Sequence, residues 1–292
     1  MLSLKKVLAD VESRRVAIGH FNISDLAAMK GILEAATELK VPVMIGVSEG
    51  EREFLGVKTT AALVKSLREE CAWPIFLNAD HTHSLLKARE AAEAGFDEIL
   101  FDGSKLPFEE NLKQTKEAVS AIKSINPEIL VEGEIGYIGS SSAVLDAIPE
   151  GASLDEKNLT TPEEAVRFIA ETGIDILAPA VGNMHGLLKS MVSGETFKRL
   201  NIERIKAIKE ATGKFLTLHG GSGTLDEDFT KAIDSGVTII HINTEIRLAW
   251  RRGLEKGLAE NPNEIAPYKI LPLAVSAVKE IVLNRLKLFN KL

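Results

Sequence analysis

The chain has 292 residues, 45% of them apolar, and a formal net charge of −7. The acidic balance, with no long basic run, argues against nucleic acid and anionic membrane surfaces as partners. No apolar run reaches the roughly 18 residues of a membrane span. The lone Cys71 excludes an intramolecular disulfide, which fits a reducing cytoplasmic setting.

The first residues, Met1-Leu2-Ser3-Leu4-Lys5-Lys6, lead into an amphipathic helix pattern rather than the apolar core of a signal peptide. Short apolar runs then alternate with longer stretches carrying apolar residues at i, i+3, i+4 spacing. Strands are predicted near Val16–Phe21, Val41–Val47, Pro74–Asn78, Glu98–Phe101, Ile129–Val131, Ile174–Ala180, Phe215–Leu218 and Val237–Ile242. They are apolar on both faces, as buried parallel strands are. Helices are predicted over Asp25–Leu39, Thr59–Glu70, Ser84–Ala94, Phe108–Ile125, Pro162–Glu171, Ile202–Thr212, Glu227–Ser235 and Pro272–Leu292. Thr161-Pro162-Glu163-Glu164 is a helix start, with a cap, a proline and acids in the first turn. Eight strand–helix units predict an α/β fold, a (β/α)8 TIM barrel, with residues 1–292 forming one domain. The longest stretch without either period, Gly136–Leu159, is Ser/Gly-rich and reads as a functional or mobile loop.

In such a barrel the chemistry sits at the C-terminal ends of the strands. All six histidines, His20, His81, His83, His185, His219 and His241, fall at or just beyond predicted strand ends. Three of them, His81, His185 and His219, each end an apolar run. Three imidazoles from separate strands make a metal site with an open coordination position. The Gly220-Gly221-Ser222-Gly223 turn after His219 brings backbone amides close to a phosphate with no bulky side chain in the way. Together they predict a metal enzyme acting on a small-molecule sugar phosphate. The His81-Thr82-His83 pattern also occurs in metal-dependent hydrolases, but those call for a strand-eight aspartate, and strand eight here offers His241. His83 is therefore read as a loop-facing or helix-capping residue.

At these residues the chain resembles the class II, zinc-dependent ketose-bisphosphate aldolases, which include fructose- and tagatose-bisphosphate aldolases. The resemblance runs nearly end to end: Gly19–Asn22, Gly46–Gly50, Ala79–His81, Phe101–Ser104, Val131–Gly136, Thr161–Phe168, Thr172–Ala178, His185-Gly186, Leu218–Gly223 and Asn243–Glu245. It implies Zn2+ (or Co2+ or another divalent ion) on His81, His185 and His219, with Glu134 and Asp102 as alternate metal-binding carboxylates, and also a monovalent cation. It implies Asp80 as the catalytic acid/base. It implies that Asn22, Ser48, Gly186, Lys189, Gly220, Gly221, Ser222, His241, Asn243 and Thr244 meet the substrate and its phosphate, and that the protein is a homodimer or homotetramer. The implied reaction is aldol cleavage of a phosphorylated ketose, fructose 1,6-bisphosphate first. The alternatives are a tagatose, sedoheptulose or deoxy-sugar phosphate, or a low-turnover sugar-phosphate binder.

The chain departs from the family pattern in four places. Ser142 stands where relatives carry a loop glutamate that exchanges the donor's proton, with Asp146 and Glu150 as nearby carboxylates. His241 replaces a strand-eight asparagine. The C-terminal arginine arm is missing, leaving Arg247, Arg251 or Arg252 to hold a second phosphate. Finally, His20 replaces a small residue in strand one, and Asn78 and Thr82 replace the usual neighbours of Asp80-His81.

Overall fold

The computed structural model describes residues 2–71, 73–139, 141–148 and 159–292. Eight parallel strands close a barrel: β1 (Ile18–Asn22), β2 (Val43–Val47), β3 (Ile75–Thr82), β4 (Glu98–Phe101), β5 (Leu130–Ile135), β6 (Ile176–Pro179), β7 (Phe215–Leu218) and β8 (Val237–Ile242). Each strand pairs with its neighbours in sequence, and β1 meets β8 with Ile18 opposite Ile239 and Phe21 opposite Ile242. This is the barrel expected from the sequence.

The period of two along each strand sorts the inward residues into layers. At the bottom lie Ile18, Met44, Phe76, Leu130, Ile176 and Ile239, and helix α1 (Leu4–Ser13) plugs this end with Leu4, Val7, Leu8 and Val11. Two residues further along the strands the interior turns polar, with His20, Asn78, Glu132 and His241, and then Asn22, Asp80 and Glu134, all buried. A second apolar cluster fills the space between the barrel wall and its helices. The polar layers explain why two predicted strands stop short. β3 continues from Asn78 to Thr82 and β5 from Val131 to Ile135, through charged residues that no apolar pattern marks.

Around the barrel run α2 (Leu26–Leu39), α3 (Glu49–Leu55), α4 (Val57–Cys71), α5 (Leu85–Ala94), α6 (Phe108–Ile125), α7 (Pro162–Thr172), α8 (Lys189–Val192), α9 (Ile202–Thr212), α10 (Asp226–Asp234), α11 (Thr244–Glu260), α12 (Pro267–Ile270) and α13 (Pro272–Asn290). The predicted start of α7 is present: Glu164 N donates to Thr161 Oγ1, and Thr161 N donates back to Glu164 Oε2. Helices α3, α8, α11 and α12 have no counterpart among the predicted ones. The buried face of α11 includes Thr244, Ala249, Gly253 and Gly257, small residues with little apolar signal. They let it lie close to its neighbours: a Cβ on Gly257 would sit 2.3 Å from the Ile270 carbonyl oxygen. Helix α13 packs on α2 and α11.

Candidate metal centre and phosphate cleft

A fault in the barrel wall builds the centre of the site. Strands β3 and β4 pair regularly at Ala79–Ile99, then resume at Thr82–Phe101, so β3 carries one extra residue in between. His81, in that bulge, has φ of +40°, a left-handed conformation that costs a residue with a Cβ about 1–3 kcal/mol. On a regular strand Asp80 and His81 would face opposite sides. The bulge re-aims His81, and both side chains reach one space, with His81 Nε2 3.7 Å from Asp80 Oδ1. Arg52 of α3 holds the fault in place: its guanidinium donates to the carbonyls of Val47 (2.6 Å) and Asp80 (3.1 Å) and to Thr82 Oγ1 (3.0 Å).

Ligand atoms of His81, Glu134, His185 and His219 lie within 4.8 Å of one another. The atoms that face inward, His81 Nε2, His185 Nε2, His219 Nδ1 and both Glu134 oxygens, are buried without hydrogen-bond partners among the described residues. Buried polar atoms are rarely left so, and a cluster of unpaired imidazole nitrogens and a carboxylate fits a divalent cation. Two of the far nitrogens are anchored. His81 Nδ1 meets Asp102 Oδ2 at 2.8 Å, and His219 Nε2 meets Glu132 Oε1 at 2.7 Å. Such carboxylates fix the ring and raise its basicity.

Burial favours the neutral form of His81, but Asp80, Asp102 and Glu134 outweigh it and push the imidazole up to about 10. Burial and the neighbouring His81 and His219 hold His185 neutral, the state a ligand needs. Asp102 is not part of that cluster: one oxygen takes His81 and the other accepts from Ser104 N and Oγ. Glu134 lies within it.

Asp80 sits beside this group. Asn22 Nδ2 donates to its Oδ2 at 2.8 Å and to Glu51 Oε2 at 2.9 Å. The other oxygen, Oδ1, has no hydrogen-bond partner among the described residues. It lies 3.5 Å from His241 Nδ1, 3.7 Å from His81 Nε2 and 3.9 Å from His219 Nδ1. Burial opposes ionisation of Asp80, yet His81, His241 and His20 together hold it well below the usual carboxylate range. Two of the departures from the family pattern turn out to be one feature. His20 stacks on His241 with ring centroids 3.4 Å apart, and Gly46 makes the room, since a Cβ there would sit 2.0 Å from the His20 ring.

A narrow cleft opens above this centre, lined by Asn22, Asp80, Ser142, His185, Gly186, Gly220, Ser222, His241, Asn243 and Thr244. Eight of the expected catalytic and substrate residues therefore line one cleft together with His185 of the metal cluster. Three expected contacts are placed elsewhere. Ser48 caps α3, its hydroxyl donating to Glu51 Oε2. Gly221 spends its amide on the His241 carbonyl. Lys189 is exposed and pairs with Asp146 at 2.6 Å. The basic group behind the glycine turn is the buried Lys198, whose Nζ donates to four backbone carbonyls, those of Met184, Gly186, Gly220 and Ser222. Burial lowers its pKa and Glu245 opposes this; four acceptors suit the three N–H groups of the charged form.

Of the three arginines considered for a second phosphate, Arg247 reaches the cleft rim, bonded to the Ser142 carbonyl and to Glu51 Oε1. Arg251 turns outward to Glu255, and Arg252 lines a groove beside α13. Glu150 lies outside the described residues. His83 is half-exposed, with Nδ1 on the Asp102 carbonyl, at the rim as expected. The sequence reading misses Glu51, Arg52, Glu98 and Lys198, and gives Glu132 no role apart from Glu134. The Ser48–Glu51 spacing of a capping box could have revealed α3 and its two functional residues. No local pattern marks Lys198.

The family model described as class-II fructose-bisphosphate aldolase matches residues 2–292. A fructose-bisphosphate aldolase of Geobacillus stearothermophilus is 35% identical over 293 residues, covering 99% of this chain and 97% of the relative. The probable fructose-bisphosphate aldolase of Bacillus subtilis is also 35% identical, covering 99% of this chain and 98% of the relative. The solved structure of the YdjI aldolase from Escherichia coli K12 superposes with a TM-score of 0.81 at 30% identity, covering 99% of this chain and 97% of that one.

Proposed function

The chain belongs to the class II fructose-bisphosphate aldolase family, and from that premise we propose that it is a lyase cleaving fructose 1,6-bisphosphate to dihydroxyacetone phosphate and glyceraldehyde 3-phosphate. We assign His81, His185 and His219 as ligands of Zn2+, with Glu134 as the alternate carboxylate; an imidazole-rich set of this kind also accepts Co2+. When bound, the dication supplies Lewis acidity toward the ketone and its neighbouring hydroxyl.

The observation that carries this reading is the free Oδ1 of Asp80, aimed into the same space as three unpartnered imidazole nitrogens. Cleavage needs a base at the hydroxyl of the departing aldehyde half, and condensation needs the same group as an acid. Asp80 serves both, fixed by Asn22 through its other oxygen. Asp102 and Glu132 hold the ligand rings at the correct tilt. The donor phosphate is read onto Gly186, Gly220, Ser222 and Thr244, where small residues and a helix N-terminus admit an anion. Arg247 is the candidate for the second phosphate. A pure binder has no use for a base so placed.

The His20–His241 stack favours a second reading: the same cleavage on a tagatose, sedoheptulose or deoxy-sugar phosphate, with the selectivity set at that ring. A coupled assay of fructose 1,6-bisphosphate cleavage, with added Zn2+ and with a chelator, tests the proposal. Chelator-sensitive release of dihydroxyacetone phosphate is expected. No release from zinc-loaded protein with any of these ketose phosphates would overturn it.

A further inference from the structure

Lys198 is 3% exposed, and the acceptors of its ammonium are main-chain oxygens. Nζ lies 2.5 Å from the Met184 carbonyl oxygen, 2.7 Å from that of Gly186, 3.0 Å from that of Gly220 and 2.6 Å from that of Ser222. Four carbonyl oxygens converging on one point at such distances are the coordination shell that proteins offer to a dehydrated monovalent cation. The backbone of Lys198 is fixed as well: it forms a parallel bridge with Thr224, its N–H donates to the Gly223 carbonyl, and its own carbonyl accepts from Leu225. The stem thus enters the cage from a pinned origin.

We infer that the Lys198 ammonium is a tethered substitute for a monovalent metal ion, clamping the Met184–Gly186 loop to the Gly220–Ser222 turn under the phosphate cleft. The inference rests on the proposed aldolase reading for its kinetic consequence, and on the carbonyl cage alone for its structural one. It replaces the monovalent cation expected from the sequence.

The physical argument is one of repulsion. The four carbonyl dipoles point their negative ends at one spot. Without a positive centre they would drive the two loops apart. The loops touch backbone to backbone, for a Cβ on Gly220, whose φ is +60°, would sit 2.4 Å from the Met184 carbonyl oxygen. Gly186, Gly220 and Ser222 all line the cleft, so separation of the loops would spoil the seat of the phosphate. His185 and His219 are the chain neighbours of three of the four caged carbonyls, so the clamp also steadies two of the proposed metal ligands. Lys198 touches no reacting atom and acts as a positioning residue.

The test compares the zinc-loaded native protein with Lys198→Ala in choline, sodium, potassium or ammonium chloride at one ionic strength. The native protein should cleave fructose 1,6-bisphosphate with the same KM and kcat in all four salts. Lys198→Ala in choline should show a KM raised about 10- to 100-fold, the worth of one or two hydrogen bonds from a charged donor. Potassium or ammonium should lower it again along a saturable curve.

Melting temperature gives a readout free of turnover: saturable stabilisation by potassium or ammonium in Lys198→Ala and none in the native protein. It still reports on the cage if the native protein proves inactive on every ketose phosphate, which separates failure of this inference from failure of the aldolase reading. Native protein whose activity or melting temperature rises in potassium over choline would overturn the inference. So would a folded Lys198→Ala, with normal zinc content, that no cation affects. If Lys198→Ala does not fold in choline, refolding in potassium but not in choline is expected, and failure in both, together with failure of folded Lys198→Met to respond to ammonium, would overturn it.

Discussion

Asp80 and its neighbours show how few side chains carry the proposed chemistry. Replacing Asp80 with Ala removes the base and leaves the imidazole nitrogens of His81, His185 and His219 in place, so zinc content should stay near one per chain while kcat falls by about 10²–10⁴. Near-full turnover in that variant would remove Asp80 from the mechanism. His185→Ala should instead lose the metal, and a normal zinc content would refute the ligand assignment. Beneath them, Glu98 and Glu132 form a buried carboxylate pair. Burial and the Glu132 charge push Glu98 well above its usual range, while Glu132, against its burial, is held down to about 2 by His219. Glu98 therefore keeps its proton in the folded chain over a pH window in which the unfolded chain has lost it. The resulting stability is complete below the unfolded pKa and is lost as pH rises through the raised folded value. Glu98→Gln fixes the neutral, donating form. Denaturant midpoints measured across pH should fall less steeply on the alkaline side in the variant; identical slopes would show that Glu98 is not the titrating group.

At the scale of elements, the barrel was legible because strands buried on both faces write their apolar character into consecutive residues. Phe215–Leu218 and Val237–Ile242 match their strands at both ends. The sequence failed where the interior is polar, at Asp80 and at Glu132–Glu134, because a charged residue inside a barrel looks like the end of a strand. It failed also at the β3 bulge, since one extra residue changes the side on which His81 emerges and nothing in the local pattern marks it. The histidine ligands were legible because each closes an apolar run, whereas Lys198 was not, because its partners are backbone carbonyls from two distant loops. The loop after β5 carries its own prediction. Ser142 lies in the cleft where the resemblance implies a carboxylate, and Asp146 is exposed and paired with Lys189. Exchange of the donor-carbon proton of dihydroxyacetone phosphate with solvent should therefore be slow relative to carbon–carbon cleavage. Deuterium incorporation followed beside turnover tests this, and exchange faster than cleavage would show that another base reaches the donor carbon. Arg247, bridging Ser142 and Glu51 at the same rim, should raise KM for a bisphosphate when changed to Ala. An unchanged KM would take it out of the second phosphate site.

For the whole molecule, the proposed ligand histidines matter through what they tie together. His81 ends β3, His185 follows β6 and His219 follows β7, so a cation held among them links separate sectors of the ring that the unfolded chain cannot bring together. Binding to the folded state alone stabilises by about 2.7 kcal/mol at a hundredfold excess over Kd. The size of that effect depends on pH, because the metal-free site already holds a competing charge. His81 is pushed up to about 10 by Asp80, Asp102 and Glu134, against its burial. In the metal-free protein its proton is a stabilising partner of those carboxylates, fully so below the unfolded histidine value and progressively less as pH rises through about 10. A dication must displace that proton, so metal affinity rises with pH over the same window while the intrinsic stability of the metal-free protein falls. Both trends enlarge the difference in melting temperature between zinc-loaded and chelator-treated protein as pH increases from 6 to 8. Calorimetric titration in buffers of different ionisation enthalpy should find about one proton released per zinc bound at neutral pH. A zinc affinity independent of pH, with no proton release, would mean that His81 is already neutral in the metal-free protein. It would then follow that the three carboxylates around it serve to orient the ring rather than to hold its charge.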